Sequence, residues 1–209
     1  MFQIKNVTIT HNKDLHTILQ NFSLVLNDGD RAVMIGEEGN GKSTLMKWIY
    51  DPELVDDYVD YKGERVMSGE KLGYLPQELP EDAKHKTVCE YFCESAEFLD
   101  KTPKELSKLA SDCHVEAEFF YREQEMCTLS GGERVKAQMM RILAENPTIL
   151  LLDEPSNDID IETLEWMERQ ILSFPGIVLF ISHDETLIQR TANKVVPLAE
   201  PPHPAGRPP

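Results

Sequence analysis

The chain opens on two stretches in which apolar and polar residues alternate, residues 2–10 and 22–36. A period of two sends every second side chain to one face, which predicts antiparallel strands with one covered side. The cluster Asn27-Asp28-Gly29-Asp30 predicts a turn inside the second stretch. Beyond it, "RAVMI" is a short apolar run and "KSTLMKWIY" has helical spacing. Residues 51–127 change character: they are acidic and predicted mostly helical, with "VCEYFCESAEFL" and "ELSKLASDCHVE" as amphipathic segments. "KLGYLPQ" predicts a short strand leading into them. From residue 128 the pattern alternates between strand and helix: a helix after "LSGGE", an apolar strand "TILLLDE", a helix "IETLEWMERQIL" and a second apolar strand "GIVLFIS". Strands that are apolar throughout are covered on both faces, so they predict a parallel sheet between helices.

The expected architecture is α/β: a mostly parallel core sheet, an N-terminal antiparallel β-subdomain and an inserted helical subdomain over about residues 78–145, all within one domain of residues 1–197. The last thirteen residues, "PLAEPPHPAGRPP", contain six prolines, which suit neither a helix nor a sheet interior. Residues 198–209 are expected to be a disordered tail, and that end reads as truncated or altered.

With 41% apolar residues the chain can build a substantial core. Its charge is lopsided, 37 acidic against 21 basic residues, and residues 51–127 alone hold 20 acidic and 9 basic ones. Phosphate neutralisation needs clustered Lys and Arg, so direct DNA binding is not expected. The four cysteines form no C-x-x-C pair and read as reduced thiols. Neither a signal layout nor a run of about 20 apolar residues is present. A soluble, cytoplasmic protein is expected.

The chemistry begins at "GEEGNGKST". Gly36, Glu37, Glu38, Gly39, Asn40, Gly41, Lys42 and Ser43 fit G-x-x-x-x-G-K-[ST], between a predicted strand and a predicted helix. Glycines let successive N–H groups turn inward on an anion, and the helix adds the positive end of its dipole. Lys42 supplies a mobile charge for nucleotide phosphates, Ser43 a hydroxyl for Mg²⁺, and Thr44 a further hydrogen bond. The strand "ILLLDE" ends in Asp153, a candidate Mg²⁺ ligand, and Glu154, a candidate base for the attacking water. His183 follows the next apolar strand at the same sheet edge and is a candidate γ-phosphate contact. Gln77, after "GYLP", is a candidate for Mg²⁺ or the water.

In "LSGGE", Ser130 and Glu133 have the spacing of a capping box. Gly131 and Gly132 in a first turn are poor for helix stability and suit close approach to the backbone. With Leu129 they complete a set, in order along the chain, that resembles the nucleotide-binding domain of ABC-type ATPases over about residues 2–197. That resemblance implies a P-loop ATPase core using ATP and Mg²⁺. It implies a second ATPase domain facing the first head to tail. Leu129, Ser130, Gly131, Gly132 and Glu133 would then contact ATP held by the partner, and Asp160 would couple the two sites. It also implies an aromatic residue on adenine upstream of the phosphate loop, where His11 is the nearest candidate.

"LDEPSNDIDIETLEWMERQI" is similar to the ABC-F branch, through Asn157, Ile161, Glu162 and "LEW" at residues 164–166. Ser156, Asp158 and Ile159 depart from that pattern. The branch implies a two-domain protein acting on the ribosome in translation or antibiotic resistance, of which this chain would be the N-terminal part. The 52 positions between Gln77 and Ser130 leave no room for an added arm. The other reading is the ATP-binding subunit of a transporter working with a membrane permease; a third is a fragment that binds nucleotide without turnover.

Overall fold

The computed structural model describes residues 1–198. Two sheets and a group of helices enclose two clusters of buried apolar residues, one on each face of the parallel sheet. The first sheet is antiparallel, with strands β1 (Phe2–His11), β2 (Thr17–Leu26) and β4 (Val59–Val66) in the order β2-β1-β4. The second is parallel and contains β3 (Arg31–Ile35), β5 (Leu72–Leu75), β6 (Ile149–Asp153), β7 (Ile177–Ile181) and β8 (Lys194–Pro197) in the order β5-β6-β7-β3-β8. The helices are α1 (Lys42–Tyr50), α2 (Val88–Cys93), α3 (Ala96–Leu99), α4 (Pro103–Asp112), α5 (Gly131–Ala144), α6 (Ile161–Ser173) and α7 (Glu185–Thr191).

Side-chain parity in the parallel sheet divides the core. Ile149 and Leu151 of β6, with Ile177 and Leu179 of β7, face α1 and the antiparallel sheet. Leu150 and Leu152, with Val178 and Phe180, face α5, α6 and the helical segment. Both faces are covered, which is why these strands are apolar at every position. Within the helical segment Phe92, Phe98 and Phe120 pack together with ring centroids 4.8–5.1 Å apart, Phe120 edge-on to the other two. All three are buried, each contributing about 1.5–3 kcal/mol. Among the described residues no helix is long and apolar enough to cross a membrane.

Three expectations are corrected. The antiparallel pattern does not extend through β3: it pairs in parallel with β7 and β8. The predicted turn is present, with Asp30 N donating to Asn27 O over 2.9 Å, but it carries the chain from one sheet into the other. Residues 51–127 are not mostly helical in their first part: after one 3-10 turn at Pro52–Leu54, "VDYKGERV" forms β4, with Tyr61 opposite Ile9. It borders the sheet with one largely exposed face, so its charge masks its strand character. The expected tail, residues 198–209, begins one residue too early, whereas the expected domain end at Pro197 coincides with the end of β8. Pro197 lies in β8, an edge strand, where a missing N–H leaves no ladder bond unmade. Leu198 N donates to Ile35 O over 2.8 Å, and its side chain is buried. Residues 199–209, the rest of the expected tail, lie outside the described residues.

Candidate active site

The carboxyl ends of the parallel strands gather the predicted residues. Residues 36–41 link β3 to α1, and the backbone of Gly41 is left-handed (φ 70°). A Cβ there would meet Ile18 Cγ2 at 1.9 Å, so conformation and space both require glycine. Gly41 gives α1 no side-chain cap, whereas the other six α-helices among the described residues are each capped by a Ser, Thr or Asp side chain: Thr87, Ser95, Thr102, Ser130, Asp160 and Asp184. The first N–H groups of α1 are thus left for an external anion. Lys42 is buried, and its Nζ donates to the carbonyls of Gly36 (2.9 Å) and Glu37 (2.7 Å), across the loop it would serve. Glu37 and Glu38 are exposed, so their charge points to solvent.

Asp153 has the parity of Ile149 and Leu151 and therefore faces α1. It accepts hydrogen bonds from Ser43 Oγ (3.0 Å) and from the Tyr74 hydroxyl (3.3 Å). Burial pushes its carboxyl above the ordinary range, against the opposing pull of those bonds and of Lys47 and Lys42. A buried carboxylate beside a serine hydroxyl is an oxygen-only donor set short of positive charge, which fits Mg²⁺. The folded state holds the Asp153 proton more tightly than the unfolded chain, so its contribution to stability is full below the ordinary carboxylate range and is lost as pH rises through the raised pKa. Asp153→Asn removes the cost of the buried charge. At neutral pH it is expected to raise the melting temperature of the nucleotide-free protein by ~2–4 °C, equivalent to about 1 kcal/mol, while weakening the effect of Mg²⁺ on nucleotide binding. Thermal melts checked at acid and neutral pH test this: the gain must shrink in acid.

Glu154 has different partners from Asp153. Its backbone is left-handed (φ 51°), and its N–H donates to Ile181 O over 3.0 Å, which locks the end of β6 to the end of β7. A non-glycine residue held there stores strain of a kind that concentrates at functional sites. Its Oε1 lies 3.1 Å from His183 Nε2, and its buried Oε2 has no protein partner. Burial raises its carboxyl above the usual range, while His183 pulls the other way. His183 itself is 59% exposed. Ser156, a departure noted above, bonds Ser182 across 3.0 Å, next to His183. Gln77 sits exposed just past β5, the strand beside β6.

The segment "LSGGE" stands apart from this cluster. The capping box forms: Ser130 Oγ accepts from Glu133 N, and the Glu133 carboxylate accepts from Ser130 N over 3.1 Å. Arg122 holds the same carboxylate across 2.9 Å. The glycines have an internal reason as well. A Cβ on Gly131 would stand 1.8 Å from Asp158 O, and one on Gly132 2.5 Å from Thr163 Oγ1. The segment is therefore seated on residues 157–163, where Asp160 caps α6 by accepting from Thr163 N over 2.8 Å. A cavity of about 760 Å³ opens here, lined by Ser130, Gly132, Lys136 and Asp160 among others, and no residue of the phosphate loop reaches it.

His11 lies 3.5 Å from the Asp14 carboxylate, and its ring is 6.4 Å from that of Tyr58. Tyr58 in turn meets the Thr44 hydroxyl. Tyr58 and Tyr74 are the site residues that sequence reasoning missed. An aromatic was sought only upstream of the loop, and Tyr58 arrives from downstream. Tyr74 was readable by parity, since β5 pairs it with Leu151 on the α1 face.

A helix start left open to an anion, a part-buried serine–carboxylate pair and a strained glutamate at one sheet edge fit a P-loop nucleotide-hydrolysing domain. A family model described as "ABC transporter" matches residues 19–157, and the chain belongs to that family as an ABC-type ATPase domain. Among curated proteins it is 33% identical to the ATP-binding protein Uup of Escherichia coli, over 87% of this chain and 33% of that protein. It is 30% identical to the energy-dependent translational throttle protein EttA of Haemophilus influenzae, over 94% of this chain and 34% of the relative. The chain thus spans about a third of the length of these relatives. Among solved structures, an ATP-binding subunit of an ABC transporter superposes with a TM-score of 0.75 at 17% identity, covering 96% of this chain and 86% of that one.

Proposed function

We propose that the chain is the ATP-hydrolysing domain of an ABC-F-type protein that acts on the ribosome. The observation that carries the ATPase half is the uncapped start of α1 with Lys42 and Ser43 behind it, opposite Asp153. In this reading residues 36–44 hold the ATP phosphates. Ser43, Asp153 and Gln77 hold Mg²⁺, which supplies charge neutralisation at the phosphates. His11 and Tyr58 lie beside the base. Glu154 takes the proton of the attacking water, and His183 orients Glu154 and the γ-phosphate. Leu129–Glu133 contacts belong to ATP bound by a second ATPase domain, with Asp160 coupling the sites. The distance of that segment from the loop, in a cavity the loop does not line, supports a site shared between two domains.

The ABC-F half rests on the branch-like stretch at residues 152–171 and on relatives such as the translational throttle protein. A net charge of −16 puts ribosomal RNA contacts outside this domain. The cytoplasm is the compartment this role requires. Sedimentation with purified ribosomes tests it, using Glu154→Gln protein in Mg-ATP and in Mg-ADP. Pelleting with ribosomes in ATP but not ADP is expected. Loss of ribosome binding together with ATP-dependent recovery on membranes carrying a permease would replace this role with that of a transporter subunit.

A further inference from the structure

A second cluster of chemically capable side chains lies away from the nucleotide site. Residues 84–89 and 122–127 run antiparallel, joined by four backbone hydrogen bonds: Val88 N to Gln124 O (2.9 Å), Cys89 N to Arg122 O (3.1 Å), Met126 N to Lys86 O (2.9 Å) and Cys127 N to Lys84 O (3.0 Å). This pairing carries His85 on one segment and Glu125 and Cys127 on the other. Their ligand atoms lie within 4.8 Å of one another. Glu125 Oε2 is 3.2 Å from His85 Nδ1 and 3.5 Å from Cys127 Sγ.

Those two separations can be compared with the edges of a zinc coordination tetrahedron. With Zn–N and Zn–O near 2.0 Å and Zn–S near 2.3 Å, the nitrogen–oxygen edge is about 3.3 Å and the sulfur–oxygen edge about 3.5 Å. Both match without movement. The remaining imidazole–sulfur edge needs a separation of about 3.5 Å, within reach of a side-chain adjustment because all three side chains are on the surface. We propose that His85, Glu125 and Cys127 form a binding site for a zinc-class divalent cation, with water in the fourth position. On binding, the Cys127 thiol loses its proton to solvent and the thiolate becomes the ligand. Nitrogen, thiolate and carboxylate together favour Zn²⁺ over Mg²⁺ or Ca²⁺, which take oxygen donors.

The site joins two segments that serve the ATPase. His85 lies eight residues after Gln77, and Cys127 three residues before Ser130. A cation held there fastens the chain leaving the first to the chain entering the second. The inference rests on its own three side chains and does not depend on the ribosomal role.

Cobalt(II) reports thiolate ligation by a charge-transfer band and coordination number by its visible spectrum. Reduced, metal-free protein is titrated with Co²⁺ alone. One equivalent is expected to produce the thiolate band with four-coordinate visible absorption, and Zn²⁺ is expected to abolish it. Cys89 and Cys93, whose sulfurs are 4.0 Å apart on α2, are the competing thiols. The Cys89→Ser/Cys93→Ser protein should keep the band, Cys127→Ser should lose it, and His85→Ala should weaken binding at least tenfold. A parent without the band, a band unchanged in Cys127→Ser, or one lost in the double variant would overturn the proposal and leave a hydrogen-bonded surface cluster only.

Discussion

Glu154→Gln protein is expected to turn over ATP roughly 10²- to 10⁴-fold more slowly than the parent, the range a positioned general base contributes. Its affinity for ATP should not change, since the lost interaction belongs to the transition state. Both proteins are assayed with the second ATPase domain present, because the proposed site is shared. The side chains are nearly the same shape, and Gln can keep the contact with His183 that Glu154 makes over 3.1 Å. What disappears is the ability to take a proton. The pH profile separates this from a structural effect. Burial raises the Glu154 carboxyl, and only its ionised form is a base. Parent turnover should therefore fall as pH drops through that raised value. Because His183 pulls the carboxyl down, His183→Ala should move this acid limb to higher pH. A Glu154→Gln enzyme with parental turnover would remove Glu154 from the chemistry.

Lys42→Ala is expected to weaken ATP binding by about 10- to 150-fold, from the ~1.5–3 kcal/mol that a hydrogen bond to a charged group carries. Lys42 Nζ is held between the carbonyls of Gly36 and Glu37, so the ammonium is already poised over the loop when phosphate arrives. Glu37 and Glu38 bring negative charge to the same loop, and Lys42 is the residue within it that offsets them. Displacement of a fluorescent ATP analogue measures the effect. Equal affinity in the two proteins would mean that the backbone N–H groups of α1 bind the phosphates unaided.

Much of this site was legible because its physics is local. "GEEGNGKST" between an apolar run and a helix specifies an open helix start with no cap, and the strand "ILLLDE" places Asp153 by parity alone. The helix-period and run-length signals located α1, α5, α6, β6 and β7. What escaped is set by tertiary pairing. β4 reads as a charged segment because one of its faces meets solvent, and its apolar Val59 and Tyr61 are recognisable only against β1. β8 is a four-residue edge ending in proline, too short for a periodic signal. β3 has the composition of any apolar strand, so its direction relative to β7 is not written in it. The glycines of "LSGGE" teach the same lesson in reverse. A ligand-based reason was evident in the sequence, whereas the contact of Gly131 with Asp158 required the fold.

The central claim is that residues 36–44 and Asp153 bind a magnesium nucleotide. Calorimetric titration of the parent chain with ATP, once in excess Mg²⁺ and once in EDTA, tests it most directly. The account predicts one saturable site per chain, weaker in EDTA and weaker again in Lys42→Ala. Absence of saturable binding in Mg²⁺, or binding indifferent to both Mg²⁺ and Lys42, would contradict it.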